Sequence, residues 1–263
     1  MTGAAAGRHA GRVALITGAS RGLGAGMAET LAAEGFRLGL CARNRPSVPV
    51  GVSADEVLTD SVDVTDAGAL DRFAADVVTR FGRIDLWVNN AGLLAPIGPL
   101  ADAEPGALKA NIEVNVLGVM YGSATFARHL RTRAGGGVLV NMTSGAATRP
   151  YVGWAPYGGA KAAVDMITEV VGREERSVGL RAYALAPGLV DTDMQALIRS
   201  TPAGDLPSVG RFRQAHDDGT FNTPAWVTRF ILDRLLDGAD STGGGRQPDG
   251  DGITARVRVP DQH

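Results

Sequence analysis

The chain has 263 residues and a net charge of −2, with 44% hydrophobic and 21% charged residues. That supports a sizeable core and, without a basic cluster, argues against nucleic-acid binding. The single cysteine, Cys41, excludes an internal disulfide, fits a reducing compartment and, in "LGLCA", reads as a small buried hydrophobe.

Residues 1–11, "MTGAAAGRHAG", read as a flexible segment without the apolar run of a signal peptide. No stretch reaches the roughly 18 apolar residues of a membrane span, so a cytoplasmic protein is expected. The four histidines are scattered and show no metal-ligand spacing, so no metal is expected.

Arg12–Thr17 reads as a buried strand and Gly22–Glu34 as a helix. "TGASRGLG" (Thr17–Gly24) joins them. Its Gly18, Gly22 and Gly24 allow a tight turn, and with Ser20, Arg21 and Leu23 it places helix N–H groups where a pyrophosphate could bind. Phe36–Ala42 is a second strand. An NAD site usually carries an acid after it, but Arg43 stands there. Arg43 and Arg21 are expected to clamp the 2′-phosphate of NADP; the alternative is that both face solvent.

Pro46 and Pro49 leave little room for a crossover helix before a third strand within Glu56–Val64. A helix over Asp66–Phe81 follows, with Gly82 after its end, and then a strand running into a turn over Ile84–Gly92. Pro105–Arg133 reads as one long helix, whose apolar face Asn115 interrupts. Gly136–Ser144 is a strand, Ala155–Val178 a helix and Leu180–Gly188 another strand. Asp191–Thr223 is irregular, with two prolines and three glycines, and is expected to act as a substrate lid. The alternation predicts an α/β fold: a single Rossmann-type, doubly wound parallel sheet with helices on both faces, in one domain over 12–263.

"YGGAK" places Tyr157 and Lys161 one helical turn apart on one face. A cation beside a phenol is expected to lower its pKa and make Tyr157 usable as an acid or base. The alternative is an ordinary helix in which the two happen to be neighbours.

Together these residues resemble the short-chain dehydrogenase/reductase family over nearly the whole chain. "TGASRGLG" is similar to its glycine turn, "NNAG" (Asn89–Gly92) to its sheet-stabilising motif and "PGLVDT" (Pro187–Thr192) to its cofactor-side loop. Ser144, thirteen residues before Tyr157, matches the family spacing. The resemblance implies a catalytic set of Asn115, Ser144, Tyr157 and Lys161, with Asn115 holding a water that links Lys161 to solvent. It implies cofactor contacts from Asp63, Val64, Asn90, Ala91, Gly92, Tyr157, Lys161, Pro187, Gly188, Val190 and Thr192. Asn115 can equally be a buried amide satisfying backbone groups, and Thr192 the N-cap of a following helix. "GWAPYGGAKAAVDM" and "APGLVDTDMQ" are similar to sepiapterin reductases and bacterial benzil-type reductases, whereas Asp249 resembles the ordinary family tail.

The resulting expectation is an NADP(H)-dependent reductase of a ketone or dicarbonyl, with Tyr157 as proton donor. Alternatives are an alcohol dehydrogenase working oxidatively and a non-catalytic NADP-binding sensor. Tyr151, Trp154, Met194, Phe212 and Phe221 are candidates for an apolar pocket wall. The resemblance also implies a homodimer or homotetramer through the helices at Pro105–Arg133 and Ala155–Val178.

Overall fold

A computed structural model describes residues 7–238 and 256–262. Seven strands form one sheet: β1 (Val13–Thr17), β2 (Arg37–Ala42), β3 (Val57–Ser61), β4 (Leu86–Asn89), β5 (Gly137–Met142), β6 (Leu180–Ala186) and β7 (Arg256–Arg258). Their order is β3-β2-β1-β4-β5-β6-β7, and every pairing is parallel. The order reverses between β1 and β4. In open α/β sheets a ligand crevice lies there, outside the carboxyl ends of the strands.

Helices α1 (Gly22–Ala33) and α2 (Ala67–Phe81) come first. Next are α3 (Pro105–Ile112), α4 (Gly118–Arg131) and α5 (Ala155–Glu174). The last three are α6 (Asp193–Ser200), α7 (Val209–Asp217) and α8 (Pro224–Phe230). Met27 and Leu31 of α1 pack with Val227 of α8 on one face of the sheet. On the other, Leu70, Phe73 and Val77 of α2 pack with Phe126 and Leu130 of α4 around Trp87. The strands are apolar on both sides for this reason: β1 is buried at all five positions. Asp66 caps α2 by accepting from Ala69 N at 2.9 Å, and Gly82 ends it at φ +84°, as the sequence indicated. Between β2 and β3 there is only a short 3-10 turn at Ala54–Glu56, in keeping with the two prolines.

Three expectations are corrected. The stretch Pro105–Arg133 is not one continuous α-helix, because a π turn at Glu113–Leu117 separates α3 from α4 and carries Asn115. The segment Asp191–Thr223 is not irregular: it holds α6 and α7. Ile198, Val209 and Phe212 drive their folding by packing against Leu94, Trp154 and Leu206. Within residues 7–11, His9 is buried and anchored rather than loose. The His9 N–H donates to Glu34 O at 3.1 Å, and its ring lies 5.2 Å from that of Phe36. Residues 1–6 lie outside those described.

Candidate active site

A cavity of about 1120 Å³ opens at the carboxyl ends of β1, β4, β5 and β6. One end is the glycine turn. Gly18 adopts φ +66°, and a β-carbon there would stand 2.7 Å from Ala91 Cα, so only glycine fits. The Asn90 amide donates to Thr17 O and Gly18 O, both at 3.0 Å, and thereby fastens the turn. No side chain caps α1, whose first turn faces the cavity through Gly22, Leu23 and Gly24. Uncapped N–H groups at a helix start, with no acid in the first turn, suit a pyrophosphate.

Ser20, Arg43, Asp63, Val64, Ala91, Gly92, Pro187, Gly188, Val190 and Thr192 line the same cavity. Arg43 is exposed, and its guanidinium has no partner among the described residues. Arg21 is instead tied to Asp193 at 2.7 Å, which joins the glycine turn to the start of α6. Asp63 accepts from Thr65 N at 2.9 Å and Thr65 Oγ1 at 2.8 Å. Thr192 caps α6, accepting from Gln195 N at 3.4 Å.

At the opposite end Ser144, Tyr157 and Lys161 come together. Ser144 follows β5 and accepts from Ala146 N at 3.2 Å, which fixes its side chain at the sheet edge. Tyr157 and Lys161 lie on the buried face of α5. Lys161 Nζ donates to Met142 O at 2.8 Å and sits 5.7 Å from the centre of the Tyr157 ring. The expected lowering of the Tyr157 pKa by that cation is corrected. Burial raises it, and the nearby Ser144 hydroxyl pulls it partly back. Burial also lowers Lys161 to about 8 against the pull of Asp165, so the ammonium is itself strained.

Asn115 accepts from Leu93 N at 3.0 Å and donates to Leu93 O at 2.6 Å and to Asn111 Oδ1 at 3.1 Å. It is thus the buried amide that holds the strand-end turn. A methyl on Gly92 would stand 3.3 Å from Asn115 Oδ1 and 3.8 Å from Lys161 Nζ, so these groups meet around one point.

Tyr151, Trp154, Met194 and Phe212 line the cavity. The Trp154 ring lies 4.9 Å from that of Tyr151 and 5.3 Å from that of Phe212. Phe221 does not join them. Its ring is held elsewhere, between Arg199 and His216, because Thr220 turns towards the cavity in its place. Asp249 lies outside the described residues.

Two features escaped the sequence reading. A buried polar chain runs from Trp87 Nε1 to Asn89 Oδ1 (2.8 Å), from Asn89 Nδ2 to Asn141 Oδ1 (2.8 Å) and from Asn141 Nδ2 to Thr168 Oγ1 (2.9 Å). It ties β4 and β5 to α5 beneath the site. Gly122 lies so close to Asn89 that a β-carbon would collide with it. The second feature is Arg256 on β7, which lines the cavity and donates to Ser144 O.

Residues 12–203 match the family described as short chain dehydrogenase. The chain belongs to the short-chain dehydrogenase family. This dehydrogenase is therefore an oxidoreductase that uses a nicotinamide cofactor. It is 31% identical to a benzil reductase ((S)-benzoin forming) from Bacillus cereus, over 85% of this chain and 94% of that one. It is 29% identical to the enzyme of the same description from Bacillus subtilis, over 86% of this chain and 94% of the relative. Among solved structures, levodione reductase superposes on it with a TM-score of 0.75 at 26% identity, covering 90% of this chain and 95% of that one. Among its described residues, no helix is long and apolar enough to cross a membrane.

Proposed function

We propose that this dehydrogenase is an NADPH-dependent carbonyl reductase that converts a ketone or dicarbonyl to an alcohol. The observation that carries the reading is the meeting of Ser144, Tyr157 and Lys161 on the wall of the cavity that also holds the uncapped start of α1. A bound nicotinamide would supply the hydride for the carbonyl carbon, which leaves the carbonyl oxygen to gain a proton from the protein. Ser144 donates a hydrogen bond to that oxygen and stabilises its growing negative charge. Tyr157, kept protonated by burial, delivers the proton. Lys161, with its pKa near 8, replaces the proton on Tyr157, and Asn115 holds the wall at Leu93 beside it.

The glycine turn and α1 hold the pyrophosphate. Arg43 would take the 2′-phosphate, since it has no partner among the described residues and stands where an NAD enzyme would place an acid. Asp63, Val64 and Asn90–Gly92 flank the adenine and ribose side, and Pro187–Thr192 the nicotinamide side. The aromatic wall of Tyr151, Trp154 and Phe212 suits an aryl ketone or diketone, the class named for the Bacillus relatives. Helices α6 and α7 cover that end as a lid.

The test is NADPH absorbance with a panel of benzil, other diketones, quinones, sepiapterin and simple aldehydes. Consumption with diketones is expected. No consumption with any carbonyl, from either NADPH or NADH, would overturn the reading.

A further inference from the structure

Charge is distributed unevenly along the cavity. Among the described residues, six arginines line it, against three carboxylates, Asp63, Asp193 and Asp261. Two of those carboxylates are already matched: Asp193 pairs with Arg21 at 2.7 Å and Asp261 with Arg258 at 3.2 Å. Asp63 lies at the opposite end, engaged by Thr65. Arg256 is neutralised from behind the cavity by Asp165, at 2.8 Å.

What remains at the substrate end is Arg149 and Arg211, neither of which has a carboxylate on it among the described residues. The Arg149 guanidinium has no partner among the described residues, while Arg211 Nη1 donates only to the neutral Tyr151 hydroxyl, at 3.0 Å. Asp205 packs against Gly98 and Gly153. Arg211 contacts Tyr151 of the aromatic wall, and Arg149, two residues before Tyr151 in the chain, lines the same cavity. A concave site with two unmatched cations concentrates anions, and a guanidinium fork fits a carboxylate.

We propose that Arg149 and Arg211 form a carboxylate-binding subsite at the substrate end of the cavity, and that the preferred substrate is an aryl ketone or diketone bearing a carboxylate away from the reacting carbonyl. This rests on the carbonyl-reductase reading and narrows it. Both cations sit at the rim, so the carboxylate lies on the outward part of the substrate. The reacting carbonyl points in towards Ser144 and Tyr157.

The experiment compares kcat/KM for benzil-4-carboxylate and its methyl ester, with NADPH, at low and high salt. The wild-type enzyme is expected to prefer the acid by about tenfold or more at low salt, a preference that shrinks as salt rises. Arg149→Met and Arg211→Met should each cut the acid-to-ester ratio severalfold, and Arg211→Lys should keep most of it. NADPH titration of each variant reports whether it remains folded. A wild-type enzyme that takes the ester as well as the acid would overturn the subsite while leaving the reductase reading intact. So would an acid preference that survives in the Arg149→Met, Arg211→Met double variant. Failure to reduce acid, ester and benzil alike would overturn the reductase reading and the subsite together.

Discussion

Arg256, on the last strand, donates to the main-chain carbonyl of Ser144 at 2.7 Å. The same guanidinium pairs through Nε with Asp165 at 2.8 Å, and Asp165 lies one helical turn beyond Lys161. A residue at the far end of the chain thus braces the backbone of the proposed hydrogen-bond donor and the helix that carries Tyr157 and Lys161.

Losing that brace should affect turnover more than substrate binding. Arg256→Met is expected to lower kcat by about tenfold, since a charge-assisted hydrogen bond is worth about 1.5–3 kcal/mol. Arg256→Lys should recover part of it. Steady-state kinetics on the three proteins would check this, and an unchanged kcat in the methionine variant would show that Ser144 is held without Arg256.

Lys161 should leave a pH signature on stability. Its folded pKa, about 8, lies below its ordinary 10.5, so the unfolded chain binds the extra proton between those values. Stability from this group therefore rises with pH across that window, by on the order of 3 kcal/mol in full. Lys161→Met lacks the effect. The unfolding free energy of wild type relative to that variant should climb between pH 8 and 10. Comparing the two proteins cancels the opposing influence of buried Cys41 and Tyr157, whose pKa values are raised. A flat difference would mean that Lys161 is not strained by burial.

Cofactor choice is tested at Arg43. Arg43→Asp exchanges a guanidinium without a partner among the described residues for a ribose-binding acid. The ratio of kcat/KM for NADPH over NADH should fall by about tenfold or more, from the loss of one charge-assisted contact. An unchanged ratio would place the phosphate contact elsewhere.

Assembly is tested on α4 and α5. Met120 is 42% exposed and Met166 62%, on the helices through which family resemblance implies pairing. Light scattering at micromolar concentration should return at least twice the 27.2 kDa of one chain, and Ala163→Arg should halve that mass. A monomeric wild type would refute the pairing.

Most of the sheet was legible because its signals are local. The glycine turn, the apolar runs of β1 to β6 and the Asp66 and Gly82 boundaries each declare themselves within a few residues. What was missed depends on distance. Helices α6 and α7 span only eight and nine residues among prolines and glycines, and Trp154 and Leu94, far away in sequence, complete their packing. The π turn at Asn115 leaves the apolar periodicity almost unchanged. β7 is three residues long, and the role of Arg256 exists only once β6 and β7 are paired. The Tyr157–Lys161 spacing correctly gave a shared face. It could not show that both groups are buried, and burial, not the neighbouring cation, sets the Tyr157 pKa.

The central claim is that Tyr157 supplies the proton in carbonyl reduction. Tyr157→Phe removes that proton and almost no volume. With NADPH and a benzil-type diketone, single-turnover rates for the variant should fall by about 10²–10⁴-fold, the usual contribution of a general acid. NADPH binding, followed by fluorescence in the same samples, should stay near wild type. A variant that binds NADPH and reduces the diketone within about tenfold of the wild-type rate would contradict the account, because a loss that small falls below that range.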